Sequence, residues 1–137
     1  MGLYNFMPQF EGDILADKKR HTIRARRKYP DRPGSLLHLY VGLRRPGARL
    51  LKRRRCTRVE DVEISVKRGR AGGVRLDISI GGVRCSDRKI KALARADGFA
   101  SVDKMAYFWI RRHSAHITPF RGDLIHWESN EQAARRG

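Results

Sequence analysis

Val62, Ile64 and Val66 alternate with Glu63 and Ser65, and Val74, Leu76, Ile78 and Ile80 alternate with Arg75, Asp77 and Ser79. A period of two places each apolar set on one face of an extended strand. Gly81-Gly82 follows the second run where a two-residue hairpin loop is needed, and leads into Val83–Cys85. This pattern commits the middle of the chain to sheet. Leu36–Leu43 (LLHLYVGL) is more continuously apolar and reads as a buried strand, and Arg121–Trp127 as a closing one. Turns are expected at Tyr29–Gly34, Arg44–Ala48 and Gly69–Gly73.

Helices interrupt these strands. A short one is expected over Phe10–Asp17, with Phe10, Ile14 and Leu15 on one face. Ser86 or Asp87 can cap a second that runs through Ile90, Leu93 and Ala94 to Gly98. Ser101 can cap a third, with Met105, Phe108 and Trp109 as its inward face. Long helices do not separate the strands regularly, which argues against a βαβ layer. The expectation is a mixed α/β (α+β) fold, a small mixed sheet or barrel of five or six strands with two or three helices over its ends. The length of 137 residues suits one domain, taken as 1–129, followed by a polar, frayed tail over 130–137.

Charge narrows the partners. Lys and Arg number 31 against 14 Asp and Glu, a formal net charge of +17. Residues 17–32 and residues 44–58 each hold eight of the cations. A polyanion is the natural counterpart of such clusters: RNA first, with DNA as an alternative. Neither cluster carries a wide apolar helical face and no apolar run approaches 18 residues, so no membrane role is expected. Cys56 and Cys85 are expected as reduced thiols in a cytoplasmic protein. His113 and His116 sit three apart without a carboxylate or cysteine at ligand spacing, so no metal or other cofactor is expected.

The segment richest in chemistry is ILADKKRHTIR, residues 14–24. With a strand starting at His21, Thr22 and Arg24 share a face, and Lys19 precedes them at the strand entrance. A hydroxyl, an ammonium and a guanidinium brought together could hold a phosphate or polarise a carbonyl. The same residues also fit a plain strand whose cations face water.

FEGDILADKKRHTIR followed by PGSLLHLYVGLR resembles the ASCH domain family of the PUA-like superfamily, whose hallmark is G-x-K-x-x-T-x-R after a short helix. Lys19, Thr22 and Arg24 match its last three fixed positions, and Asp17 stands where the family usually has glycine. ADGFASVDKMAYFW resembles the family's later acidic-Gly-Phe element. The resemblance implies a PUA-like β-barrel with helices at its rim and a cleft lined by the motif. Some bacterial members hydrolyse the acetyl amide of N4-acetylcytidine, with a lysine and a threonine at this spacing and a glutamate before the later helix. That glutamate maps onto Asp97, one methylene shorter. Other members are single-strand ribonucleases or RNA-binding factors.

Three function classes follow. In a hydrolase acting on RNA or on a modified cytidine, Lys19, Thr22 and Asp97 are catalytic, and Arg24 and His21 hold the substrate or its oxyanion. In a binding module the same cleft cradles RNA or a nucleotide without turnover. In both, Arg26, Arg27, Lys28, Lys52, Arg53, Arg54 and Arg55 would flank the strand, and Tyr40 would stack on a base. The third class is a DNA-binding regulatory protein that uses the basic clusters alone.

Overall fold

The computed structural model describes residues 2–136; Met1 and Gly137, at the ends of the expected domain and tail, lie outside the described residues. The elements in chain order are β1 (Gly2–Phe6), α1 (Glu11–Leu15), β2 (His21–Arg24), β3 (Leu36–Val41), β4 (Arg49–Arg68), β5 (Val74–Ile80), β6 (Val83–Arg84), α2 (Asp87–Ala96), α3 (Val102–His113), β7 (Phe120–Trp127) and α4 (Asn130–Arg136). Short 3-10 turns occupy Pro8–Phe10 and Arg70–Gly72. The class is mixed α/β, as the alternation and caps indicate, with seven strands and four α-helices among the described residues. The expected barrel is corrected. The strand path runs β1-β3-β4-β5-β6, with β2 paired to β7 and β7 also to β4, and the sheet is not closed. One end of that path is the two-residue β6, which is too short to carry the ladder onward.

Contacts divide the chain into two units. The first comprises Met1–Thr22, Arg27–Val59 and Ile125–Gly137. Within it β1 lies parallel to β3, from Gly2 beside Leu37 to Phe6 beside Val41. β3 runs antiparallel to β4, where Leu39 pairs with Lys52 but Tyr40 with Leu50, so Leu51 is an extra residue. Tyr4, Phe6, Phe10, Ile14, Leu37, Leu39 and Trp127 form the core, with Phe6 edge-on to Trp127 at 6.0 Å.

The second unit comprises Ile23–Arg26 and Glu60–Leu124. Here β4 pairs antiparallel with β5 from Val62 beside Ile80 to Arg68 beside Val74, and the turn that joins β5 to β6 has φ of 59° at Gly81 and 82° at Gly82. Positive φ at both positions is what a turn with this twist requires, and glycine supplies it without strain. Ser86 accepts from Lys89 N at 3.1 Å and Ser101 from Lys104 N at 3.2 Å, so both expected caps form. The inward faces of α2 and α3 pack on β5 and on each other. Ile64, Ile78, Ile90, Met105, Trp109 and Leu124 are buried there. No helix among the described residues is long and apolar enough to cross a membrane.

Residues 130–136, expected as frayed, form α4. Ser129 Oγ accepts from Gln132 N at 3.1 Å and Gln132 Oε1 accepts from Ser129 N at 2.8 Å, a reciprocal capping box. α4 itself buries no residue.

Candidate functional site

The motif segment is shaped by how α1 ends. Lys18 N and Lys19 N both donate to Asp13 O, at 2.9 and 3.0 Å, and Asp17 takes the left-handed conformation with φ of 66°. Aspartate tolerates that region better than most side chains, and the turn places its carboxylate 3.4 Å from Lys52 Nζ on β4.

Past this turn the chain goes inward. Lys19 is only 3% exposed, and its ammonium stands 5.2 Å from the Phe10 ring centroid and 5.9 Å from that of Phe6. His21 and Thr22 are also buried, Thr22 to 5% exposure. The His21 ring lies 5.8 Å from that of His126, whose Nε2 is 3.4 Å from Arg58 Nη2. The plain-strand alternative, with its cations in water, does not describe Lys19. Aromatic faces attract a cation placed over them, and Phe6 and Phe10 are the rings nearest this ammonium.

A second buried lysine joins this unit. Alternation along β4 turns Lys52, Arg54 and Cys56 inward and Arg53 and Arg55 outward. Lys52 and Arg54 therefore lie on the inward face of the strand and Arg53 and Arg55 on the outward one. Lys52 Nζ donates to Asn130 Oδ1 at 2.9 Å and lies 3.4 Å from Asp17 Oδ1. Arg54 Nη2 donates to the same Asn130 oxygen at 2.8 Å. Burial pushes the Lys52 ammonium below the usual lysine range against the pull of Asp17, and the charges of Arg54 and Arg20 push the same way. Nearby, Glu128 Oε1 accepts from Arg55 N at 3.0 Å and pairs with Arg136. The Arg136 guanidinium, with help from the Arg55 N–H, holds that carboxyl below the usual range despite its burial.

The remaining basic positions differ in how far they are engaged. Arg27 stacks on Tyr4 with its guanidinium carbon 4.0 Å from the ring centroid, and Lys28 lies over Tyr29 at 5.6 Å. Tyr40 is half-buried. Arg55 Nη1 donates to Gly34 O at 3.0 Å from an otherwise exposed side chain, and Arg53 is exposed.

Arg24, Arg26 and Asp97 belong to the second unit. Asp97 is buried directly after α2, its N–H donating to Leu93 O at 2.9 Å. Arg26 is committed to carboxylates. It pairs with Asp61, and its Nη2 lies 2.9 Å from Asp123 Oδ1. A cavity of about 500 Å³ in this unit is lined by Arg26, Asp61, Glu63, Ser79, Arg121 and Gly122, among others. Its charges are internally matched, since Arg121 Nε also lies 3.3 Å from Glu63 Oε2. His113, Trp109 and Phe120 form a triangle of tilted rings, with His113 4.8 and 4.7 Å from the other two and those 4.6 Å apart. Among the described residues no group of three or more His, Cys, Asp or Glu could hold a metal ion.

Asn130, Glu128 and the second role of Asp17 are not legible in the sequence, because the polar stretch after Trp127 carries no apolar period. The one signal is Ser129 three residues before Gln132, a capping spacing. No family model, no curated protein and no solved structure matches this chain.

Proposed function

We propose that this protein is an ASCH-like hydrolase that binds RNA or a nucleotide and acts on RNA or on an N4-acylated cytidine at the Lys19–Thr22 segment. The observation that carries the reading is the burial of Lys19 and Thr22 together at the start of β2. Taking an ammonium out of water carries a desolvation cost, which a binding or catalytic role for Lys19 would account for. The left-handed turn at Asp17, in the place of the family's glycine, supports the same kinship. On the amidohydrolase branch the Thr22 hydroxyl attacks the acyl carbon as its proton passes to a base, the C–N bond breaks and the cytosine amine leaves with a proton, and water then hydrolyses the acyl-Thr22 ester to release the carboxylic acid and restore the hydroxyl. His21 and Lys19 are the first unit's proton carriers at this position. Cys56 and Cys85 are free and buried, which fits a reducing compartment, and we place the protein in the cytoplasm.

The second reading is an RNA-binding module without turnover. It is favoured by the Phe6 and Phe10 rings beside Lys19, whose faces attract a cation and suit a ligand cradle.

The deciding experiment measures acetyl release from N4-acetylcytidine and cleavage of labelled single-stranded RNA by wild type, Thr22→Ala, Lys19→Gln and Asp97→Asn. The hydrolase reading expects a loss of about 100-fold or more in one of these activities on changing Thr22 or Lys19. The Asp97→Asn arm tests the carboxylate named by the family resemblance. Salt-sensitive RNA binding with no turnover in the wild type would leave the binding module.

A further inference from the structure

We propose that Lys52 and Arg54 form a binding site for a phosphate group, held closed in the free protein by the side-chain amide of Asn130. Two cations converge on one neutral oxygen, with Lys52 Nζ at 2.9 Å and Arg54 Nη2 at 2.8 Å from Asn130 Oδ1. A single amide oxygen is a poor counterpart for two positive groups. Among the described residues no acceptor meets Arg54 Nε, although that atom is buried. An orphaned guanidinium N–H beside a shared acceptor is the arrangement that a multi-oxygen anion completes, because phosphate can take the forked Nε and Nη2 donors and the ammonium at once. The neighbouring carboxylate, Asp17, lies 3.4 Å from Lys52, and its Oδ2 accepts the Asn130 N–H at 3.0 Å. Glu128 also acts on Arg54 but is itself paired with Arg136, and Arg20 is close enough to bias Lys52, so the four cations outnumber the two carboxylates and the site keeps a positive excess.

The stopper is built to leave. α4 buries no residue, and its ties to the unit are polar: the Asn130 contacts, Asn130 Nδ2 to Leu15 O at 3.3 Å, and the Arg136–Glu128 pair. A segment that buries no side chain of its own and is tied by polar contacts opens at lower free-energy cost than one docked by an apolar face. A phosphate that displaces Asn130 exchanges a neutral acceptor for an anionic one and releases α4.

The inference rests on the RNA reading for its natural ligand, a polynucleotide phosphate, whereas the same chemistry would take free phosphate. The test titrates the full-length protein with labelled single-stranded RNA and, separately, with inorganic phosphate. The proteins compared are wild type, Asn130→Ala, Asn130→Asp and the Lys52→Gln/Asn130→Ala double variant, each with a thermal melt to confirm folding. Asn130→Ala is expected to bind about threefold to tenfold tighter, since the closed state no longer competes. Asn130→Asp, which installs a permanent anion, is expected to bind at least about tenfold weaker, and the double variant to lose the gain. A gain for both ligands supports the site, and a gain confined to RNA assigns its phosphate to the polynucleotide. RNA binding that is unchanged or weakened in folded Asn130→Ala overturns the site and leaves the RNA reading standing. A Lys52-dependent gain for phosphate with no RNA binding in any variant keeps the site and removes RNA as its ligand.

Discussion

Lys52 is the residue whose placement departs most from what its neighbours in sequence suggest. In RLLKRRRCTR the inward positions hold a lysine and an arginine, so the period of two that reveals β5 is hidden there, and a strand with one buried face reads as a charge run. Lys19 was legible because the motif spacing singled it out, but its burial was not. That follows from the turn at Asp17, which sends the chain behind Phe6 and Phe10. The lowered pKa of Lys52 gives a signed prediction. Between its folded value and the ordinary value near 10.4 the unfolded chain binds more protons than the folded one, so stability rises with pH across that window. Lys52→Met removes the titrating group. The stability of wild type relative to Lys52→Met is therefore expected to increase between pH 7 and pH 10, measured by urea unfolding at fixed ionic strength. A constant difference across that range would contradict the burial cost assigned to this ammonium.

At the scale of elements, legibility tracked the apolar period. β3, β5 and β7, the Gly81-Gly82 hairpin and the caps at Ser86 and Ser101 were readable because side-chain alternation and local chemistry agree at each. β1 was not, since the five residues GLYNF offer only Tyr4 and Phe6 as an inward pair, and their burial depends on parallel pairing with the distant β3. α4 was not, since nothing on it is buried. The strand pattern left an open sheet and a barrel both possible and the family resemblance implied the barrel, but closure depends on pairing between distant strands that no local pattern encodes. Two glycines separate the roles such residues play inside elements. A Cβ at Gly122 would lie 2.3 Å from the Arg24 carbonyl oxygen, a backbone atom that cannot step aside without breaking strand pairing. Gly122→Ala is expected to cost about 3 kcal/mol, the upper end of overpacking penalties. At Gly12, inside α1, an added Cβ would meet nothing within 4 Å. Gly12→Ala is expected to add about 0.5–1 kcal/mol through helix propensity and a less mobile unfolded chain. Chemical denaturation of the two variants beside wild type checks both signs.

At the scale of the molecule, the net charge of +17 divides between cations engaged with carboxylates and cations left outside. Asp77 illustrates the first kind. Burial pushes its carboxyl up, but hydrogen bonds from Arg84 and Arg75 outweigh that and hold it below the usual range. Arg26, Arg49, Arg121 and Arg136 are similarly paired. Exposed ion pairs of this sort contribute little stability each, but they withdraw cations from the surplus that a polyanion meets. Arg53 and Arg55 are of the second kind, projecting outward from β4 with no carboxylate among their described side-chain partners. In the RNA reading they are phosphate contacts, each contributing about 0.7 to the slope of log affinity against log salt on a single strand. The Arg53→Gln/Arg55→Gln variant is therefore expected to lower the magnitude of that slope by about 1.4, with little change in melting temperature. Changing Arg26 and Arg121 to Gln is expected to leave the slope nearly unchanged, because their charge is already matched by Asp61, Asp123 and Glu63. Fluorescence anisotropy with one labelled RNA across a salt series measures all three proteins. Equal losses of slope in the two double variants would mean that RNA senses only the total charge and not which cations the fold leaves unpaired.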